Sequence, residues 1–443
     1  MADVLDAEYD AAIRDLRDRF RSDLVAQWDA GDFAENLLTY LRNRKVPRLF
    51  FEPKNLAEIA RLAQAYDPEE YAWEKTLADH AVDGRMYGAS NAYCDRFIAV
   101  DRETFDFSAY EHEDPQTIRG LGRHRWYTSL ARAYWEKSER RYFDALMDQW
   151  DFYMEKVPFP GEAFYRGMHA MGPSNLHPPF GELDIFIRLT HWWWAYWTIL
   201  HASEMTPKRN VVLLHRCLLL FDMVAGRGIK IHEHNFTSMQ MEAVYFWAMS
   251  LPEVTGMSVW KHMARNSMES SLNRAIFADG VHWEKSTGYH CGCIRWYGSS
   301  FLLGQMNDEP WADVYGQRLK EMGVFVDALV TPDGNMPLLS DSDRVGTWRN
   351  THALLRCIFP DVRFQHGVSP TYFSLWLSNG QTWEADAGEA IRQITFPEGG
   401  VGALRNPDTQ SLVILDNGPT HAGHSHEDNL TVHYDALNYP VIV

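Results

Sequence analysis

The order of apolar and polar residues divides the chain into a long helical part and a shorter part rich in strands. From residue 117 to about residue 330, apolar residues recur with the period of a helix that buries one face. The segments with this pattern are Trp126–Trp135, Arg140–Met154, Leu183–Leu200, Val211–Val224, Ser238–Met249, Val259–Ile276 and Trp311–Leu329. Helices that follow one another through short links, without strand patterns between them, predict an all-α domain.

After Pro370 the pattern changes to short apolar runs and to alternation with period two, which is typical of strands. Runs of this kind are Leu412–Leu415, Leu430–Tyr434 and Val441–Val443. They predict the start of an antiparallel β-domain. The last run would leave an open sheet edge, so we expect the sheet to continue beyond Val443 or to pair with another chain.

These patterns predict three regions. Residues 1–115 are a helical preamble with a short extended piece around Phe97–Val100, residues 116–368 are the helical domain, and residues 369–443 begin the β-domain. The very apolar run Leu183–Leu200 contains charged residues, so we interpret it as a buried core helix and expect no membrane insertion.

Composition indicates a globular chain and excludes two classes of partner. The chain has 443 residues, of which 46% are hydrophobic, and its net charge of −18 argues against binding to nucleic acid or to an anionic membrane. A polyanionic ligand would need a groove whose sign differs from the outer surface. The 17 Trp and 20 Tyr suit stacking on sugar rings, although core packing accounts for most of them. The five cysteines are odd in number and widely spread, which predicts buried thiols.

Two clusters of polar residues border the predicted helices. Asn235 precedes a Met-rich helix and shares one face of it with Glu242, although an N-cap role alone would also explain Asn235. The segment Asp279–His290 is dense in polar and aromatic residues, which is typical of a loop over a cleft. Within it, Tyr289 and His290 are able to share acid and base duty, but the pair alone is weak evidence.

A third cluster, His421–Asn429, holds three His and two carboxylates just before a predicted strand. In an extended His-x-His both rings point to one side, which suits metal ligation or a catalytic His beside a ligand His. A polar turn is the alternative. Imidazole ligands favour zinc, and calcium stays open if carboxylates dominate.

In their order along the chain, these motifs resemble those of the heparinase II/III-like polysaccharide lyases, nearest the heparinase III type. The resemblance spans about Leu183–Val443. The segments that carry it are Leu183–Leu189, Asn235 with its helix, Asp279–His290, Pro332–Gly334, Asp341–Asp343 and His424–Leu430. It implies a multidomain α+β fold in which an incomplete (α/α) toroid is followed by an antiparallel β-sandwich domain, truncated here at its C-terminus.

The resemblance also implies chemistry: β-elimination on a uronic-acid-containing polysaccharide. Asn235 would neutralise the uronate carboxylate, Tyr289 would protonate the leaving glycosidic oxygen, and His424 would be the base or its partner. Physical chemistry supports these roles. Hydrogen bonds to the enolate-like intermediate are the largest help that an enzyme gives. An ordinary His titrates near operating pH, whereas a Tyr, with an ordinary pKa of about 10, keeps its proton at that pH.

The resemblance further implies a structural divalent metal, with zinc favoured, that His426 would ligate together with residues beyond Val443. Second candidates for substrate contacts are Arg188, Glu242, Glu284, His290 and Arg344, each of which would also serve as a satisfied ion pair or core residue. The family's habit suggests a periplasmic or secreted protein. The chain opens without a signal peptide, so a removed leader and a cytoplasmic protein both stay open.

Three functions remain as hypotheses at this point. The leading one is a lyase on an anionic polysaccharide, either a glycosaminoglycan such as heparan sulfate or an alginate-like polyuronate. A glycoside hydrolase would need two carboxylates, for which Glu242 and Glu284 are available, but it leaves the His cluster unexplained. A non-catalytic glycan-binding protein needs only Trp-rich surfaces. Association into a homo-oligomer stays open.

Overall fold

The computed structural model describes residues 2–28, 30–88, 97–105, 115–159, 180–226, 235–342, 346–418, 424–426, 430–437 and 439–442. Within these ranges the chain is helical up to residue 377, apart from one small two-stranded sheet, and forms a larger sheet after it. None of the described helices is both long enough and apolar enough to cross a membrane.

The elements of the first half are α1 (Ala2–Arg19), α2 (Ser22–Val25), α3 (Phe33–Asn43), α4 (Leu56–Tyr66), α5 (Pro68–Val82), β1 (Arg85–Tyr87), β2 (Phe97–Ala99), α6 (Pro115–Arg123), α7 (Arg125–Lys137), α8 (Arg140–Lys156), α9 (Glu182–Ile199) and α10 (Pro207–Gly226). Two short 3₁₀ helices, Ala30–Asp32 and Pro53–Asn55, lie between them. The short extended piece expected around residues 97–100 is β2, which pairs antiparallel with β1.

The elements of the second half are α11 (Phe236–Ser250), α12 (Met257–Ala275), α13 (Thr287–Met306), α14 (Asp313–Leu329), α15 (Trp348–Ile358), α16 (Tyr372–Leu377), β3 (Gln393–Phe396), β4 (Val401–Asn406), β5 (Ser411–Asp416), β6 (Thr431–Ala436) and β7 (Tyr439–Ile442). The strands form one antiparallel sheet in the order β3-β4-β5-β6-β7. This order is a meander, because each strand pairs with the next along the chain.

The chain forms two compact units. Unit 1 comprises Met1–Ile229 and Ala243–Ala264, and unit 2 comprises Lys230–Glu242 and Arg265–Val443. Helices α11 and α12 each run from one unit into the other, so the units do not follow the three predicted regions, which stay predictions.

The core of unit 1 is built around α9, which is buried on nearly all sides. Its consecutive Trp192, Trp193 and Trp194 are buried together, and the indole N–H of Trp193 donates to the hydroxyl of Ser250 at 2.8 Å. A helix that is apolar all round belongs inside a protein. The interpretation of residues 183–200 as a core helix is therefore confirmed.

In unit 2 the sheet packs one face against α14. Phe396 of β3 meets Phe325 edge to face, with ring centroids 5.0 Å apart. On the same face Ala403, Ile414 and His433 are in register and buried. The opposite face leaves Leu404, Leu415 and Val432 exposed, and the edge strand β7 is exposed along its length. The sheet is thus covered on one side within the described part of unit 2.

One expectation about local structure was wrong. The segment Asp279–His290 is a loop only as far as Ser286, because α13 begins at Thr287 and carries Tyr289 and His290 in its first turn. After residue 370 the short helix α16 comes first, and the first strand of the larger sheet begins at Gln393.

Candidate active site

The first turn of α13 positions Tyr289. Ser286 is the N-cap: its hydroxyl oxygen accepts the backbone N–H of Tyr289 at 3.2 Å, and its O–H donates to the backbone carbonyl of Asp341 at 2.6 Å. The hydroxyl of Ser342 accepts the backbone N–H of Gly288 at 3.2 Å. A capped first turn is held more firmly than an uncapped one, so the backbone under Tyr289 is fixed against the chain around Asp341.

The carboxylate of Asp341 bridges two histidines of the third cluster. Oδ2 lies 2.9 Å from Nδ1 of His424, and Oδ1 lies 2.6 Å from Nε2 of His426. These hydrogen bonds, of which the one with His424 has the larger effect, hold the pKa of Asp341 below its ordinary value. An ionised Asp341 accepts a proton carried on Nδ1, which leaves Nε2 as the basic nitrogen of a neutral His424 ring.

The rings of Tyr289 and His424 stack on one another. Their centroids lie 3.5 Å apart and their planes differ by 13°. The side chain of His424 is 27% exposed, so a ligand in solution is able to reach it. The structure thus brings together a phenol and an imidazole from distant parts of the chain, which are the two groups that the sequence analysis named as acid and base.

Asn235 lies immediately before α11 and is buried. The carbonyl oxygen of Asn235 accepts the backbone N–H of Met239 at 3.1 Å and the hydroxyl of Ser238 at 2.7 Å, as expected at a helix start. Its side-chain Oδ1 is buried and has no hydrogen-bond partner among the described residues. A capping Asn uses this oxygen to accept a helix N–H, so an N-cap role does not explain the side chain.

The N-terminal ends of α11 and α13 lie at the same end of unit 2. Ser238 of α11 is hydrogen-bonded to Cys293 of α13, and two positions that follow, Glu242 and Ser299, are bonded at 2.6 Å. Contacts that advance in the same direction on both helices mean that the helices run parallel. Asn235 and Tyr289 are therefore both presented from helix N-termini, which carry partial positive charge.

Glu284 is a buried carboxyl group beside this arrangement. Both of its oxygens are buried without a good hydrogen-bond partner in the described ranges, and Nδ1 of His282 is 3.8 Å away. Burial, and secondly the negative charge of Asp341, raise the pKa of Glu284 to about 7, an effect that the backbone N–H of His424 partly offsets. Near neutral pH this carboxyl is held partly protonated.

Both ring nitrogens of His290, the neighbour of Tyr289, are hydrogen-bonded to the protein backbone. Its Nε2 lies 3.1 Å from the carbonyl oxygen of Met322 and must donate there, while its Nδ1 accepts the backbone N–H of His282 at 3.3 Å. Burial lowers the pKa of His290 to about 4, so the ring is neutral near pH 7. Its two nitrogens stabilise the turn that leads into α13.

The other second candidates have different surroundings. Glu242 is buried in unit 2, and its Oε1 accepts the hydroxyl of Ser299; burial raises its pKa to about 7, which Arg295 partly offsets. Arg188 is fully buried in unit 1, where its Nε donates to a backbone carbonyl and its guanidinium lies over the ring of Tyr153. Arg344 lies outside the described residues.

The predicted metal site has few ligands in the described ranges. His426 and Asp341 are two candidate ligands, bonded directly to one another, whereas zinc takes about four ligands. No group of three or more His, Cys, Asp or Glu in the described part of the chain is arranged to hold a metal. These residues alone do not form a zinc centre, and the rest of the third cluster lies outside the described residues.

No sequence pattern indicated a role for Asp341. Its motif was noted as part of the resemblance, but its partners His424 and His426 lie more than 80 residues further along the chain. A carboxylate followed by serine is common in polar turns, so the residue types alone gave no sign of the pairing.

Together, the fold and the site define a multidomain α+β protein in which a helical part and an antiparallel β-domain jointly supply a Tyr-His pair. The chain belongs to the heparinase II/III family: the model of the family described as "Heparinase II/III N-terminus" matches residues 20–364. The resemblance noted from the motifs is thereby confirmed.

Characterised relatives agree with this assignment. A heparin-sulfate lyase of Bacteroides stercoris is 21% identical over 354 residues, which are 72% of this chain and 51% of the relative. The heparin-sulfate lyase of Pedobacter heparinus is 21% identical over 326 residues, covering 72% of this chain and 45% of the relative. The chain thus spans about half the length of these relatives.

Solved structures confirm the fold class. A crystal structure of heparinase III superposes with a TM-score of 0.73 at 19% identity, covering 96% of this chain and 65% of that one. A heparan sulfate lyase mutant from Pedobacter heparinus gives a TM-score of 0.66 at 16% identity, covering 96% and 64%. The predicted combination of a helical toroid with an antiparallel β-sandwich domain is therefore correct.

Proposed function

We propose that this protein is a polysaccharide lyase that cleaves a uronic-acid-containing glycosaminoglycan by β-elimination. The stack of Tyr289 on His424, with His424 held by Asp341, carries the proposal. A hydrogen bond between a carboxylate and one imidazole nitrogen prepares the other nitrogen to accept a proton, as in the catalytic triads of hydrolases.

The first step removes the proton next to the uronate carboxylate. Either Nε2 of His424 accepts this proton directly, or His424 first takes the phenolic proton of Tyr289 and the resulting phenolate accepts the proton from the sugar. In both cases the carboxylate becomes an enolate-like dianion and Tyr289 holds a proton for the next step. The side chain of Asn235 faces this charge with its amide N–H groups. The N-termini of α11 and α13 add partial positive charge at the same end of unit 2.

The second step expels the glycosidic oxygen. The C4–O bond breaks, a C4–C5 double bond forms, and Tyr289 donates its phenolic proton to the leaving oxygen. After this step the site holds a protonated His424 and a Tyr289 phenolate, and proton transfer from the imidazolium to the phenolate restores the starting state. The product is an unsaturated uronate at the new non-reducing end.

The substrate class is inferred from the relatives. The curated relatives are named heparin-sulfate lyases, so a heparan-sulfate-like glycosaminoglycan is the first choice, and an alginate-like polyuronate is the second. We also propose that the protein works outside the cytoplasm, where such polymers are met, and that a structural divalent metal binds at His426. Metal analysis of the purified protein and of His426→Ala tests the last point: equal metal content in both would contradict it.

A glycoside hydrolase receives less support. Such an enzyme needs one protonated and one ionised carboxyl group, which different environments push apart in pKa. Burial raises the pKa of both Glu242 and Glu284 to about 7, so the structure does not separate them.

The test is a panel of heparan sulfate, chondroitin sulfate, hyaluronan, alginate and glucuronan, followed by the ultraviolet absorbance of unsaturated products. Absorbance should rise on a glycosaminoglycan and disappear in Tyr289→Phe and His424→Ala. The matched control is Tyr315→Phe, which removes the hydroxyl of a buried tyrosine on α14 that bonds a backbone carbonyl at 3.3 Å, and which should stay active. New reducing ends without absorbance would overturn elimination.

A further inference from the structure

A buried ion pair links the loop before α13 to the end of β5. Nζ of Lys285 lies 2.7 Å from Oδ1 of Asp416, and the two side chains are 5% and 4% exposed. The same Oδ1 accepts the backbone N–H of Gly418 at 3.1 Å. Two opposite charges with so little access to water attract one another strongly, and each becomes costly when the other is removed.

The backbone of Lys285 supports a specific purpose for this side chain. Its φ is +56°, in the left-handed region that residues other than Gly, Asn and Asp rarely adopt, and its N–H donates to the carbonyl of His282 at 2.9 Å. A glycine would adopt this conformation without strain. A lysine at a strained position is explained if its ammonium group is needed where it lies.

Further contacts hold the same loop against the turn between β3 and β4. Oδ2 of Asp279 accepts the backbone N–H groups of Glu398 and Gly399 at 2.7 and 3.0 Å, and the carboxylate of Glu398 accepts the N–H of Ala278 at 2.7 Å. The loop and the sheet are thus hydrogen-bonded in both directions, and the Lys285 ion pair adds a buried pair of opposite charges to this contact.

Each residue of the ion pair lies close in sequence to one member of the acid–base pair. Lys285 lies four residues before Tyr289 in the loop that leads into α13, and Asp416 ends the strand that precedes the segment with His424. Tyr289 reaches the site from the helical part of unit 2, and His424 from its β-part. Their stack at 3.5 Å requires that these two parts keep a fixed relative position.

We propose that Lys285 and Asp416 are positioning residues, whose buried ion pair sets the distance between Tyr289 and His424. Neither touches the substrate; they act through the placement of the acid and the base. The inference rests on the proposed lyase function for its kinetic consequence, but its geometric consequence is independent of any activity.

The kinetic test compares Lys285→Met, Asp416→Asn and the double variant with wild type. Each single variant leaves one buried charge alone and should lose thermal stability, whereas the double variant carries neither charge and should regain most of it. The value of kcat should fall roughly 100-fold in all three, because a misplacement of about 1 Å is enough for such a loss, while KM changes little. A double variant that regains kcat together with stability would show a purely structural role and overturn the proposal.

The control is another ion pair of similar burial. Arg44 and Glu253 of unit 1 lie 2.9 Å apart and are 6% and 7% exposed. Arg44→Met also leaves a buried charge alone, so it should lower the melting temperature without changing kcat of the folded protein. A similar loss of kcat in this variant would mean that lost stability alone explains the effect.

A second measurement does not depend on activity. With 3-fluorotyrosine placed at position 289 alone, the stacked ring of His424 shifts the fluorine resonance, and His424→Ala gives the unstacked reference. Lys285→Met and the double variant should move the resonance towards that reference, and Arg44→Met should not. An unmoved resonance in Lys285→Met overturns the proposal, whereas a wild type without lyase activity overturns only the proposed function.

Discussion

Replacing Glu242 by Gln should stabilise the protein at alkaline pH and not at acid pH. Burial raises the pKa of Glu242 from its ordinary 4.5 to about 7. The folded protein therefore keeps a proton that the unfolded chain has released between these two values. The free energy of unfolding falls as the pH rises through this window, and the loss is complete above pH 7.

The magnitude follows from the two pKa values. A separation from 4.5 to about 7 corresponds to about 3 kcal/mol of lost stability once Glu242 is ionised in the folded protein. Gln fills nearly the same volume, accepts the hydroxyl of Ser299 with its amide oxygen, and has no charge to bury. The variant should match wild type below about pH 4 and exceed it by up to about 3 kcal/mol near pH 8.

Urea unfolding of both proteins across this range measures the difference directly. A difference that is the same at acid and alkaline pH would refute the argument, because it would mean that the pKa of Glu242 is the same in the folded and the unfolded protein. The same variant also tests Glu242 as a substrate contact. Since its carboxyl is bonded to Ser299 within unit 2, we expect KM to stay within about twofold of wild type, and a larger rise would favour direct contact.

Three further outcomes are expected. Asp341→Asn should lower kcat by roughly 10²- to 10⁴-fold, because an amide no longer selects the reactive tautomer of His424, while the melting temperature changes little. The absorbance of unsaturated products measures the loss of activity, and thermal unfolding measures any loss of stability. Gly418→Ala should lower the free energy of unfolding by about 2–3 kcal/mol, measured with urea, because the added methyl would overlap a neighbouring carbonyl oxygen. In the control Gly226→Ala the methyl meets no atom within 4 Å, so stability should change little. Because burial lowers the pKa of His290 to about 4, the folded protein should lose stability as the pH falls from 6.5 towards that value. His290→Gln should reduce this loss when unfolding is measured across the pH range, and an unchanged pH profile would contradict the prediction.

The helices that the sequence predicted are those that bury one face. Residues 140–154 and 311–329 show an apolar stripe at helical spacing and form α8 and α14. Helix α13 gave no such signal, because it is buried on several sides and mixes glycine, cysteine, serine and aromatic residues. Gly298 and Gly292 lie against the side chains of neighbours, so close packing and not periodicity selected the residues of this helix.

The candidate site was predictable only as separate groups. Tyr289 and His424 are conspicuous because their neighbours are polar and because their order resembles that of a known family. Their stacking depends on the contact between the start of α13 and the segment after β5, which no local pattern describes. For the same reason the sequence did not reveal Lys285 and Asp416: each is an ordinary charged residue until the fold places them 2.7 Å apart in a buried position.

The net charge of −18 conflicts with an anionic substrate only if the acidic residues around the site are all ionised. Burial holds Glu242 and Glu284 partly protonated near neutral pH, and two histidines hydrogen-bond to the charge of Asp341. Two parallel helices direct their positive ends to the same side of unit 2. Under the proposed function, the helix dipoles and the partly protonated carboxyl groups would favour the substrate carboxylate at short range, although the outer surface of the protein is negative.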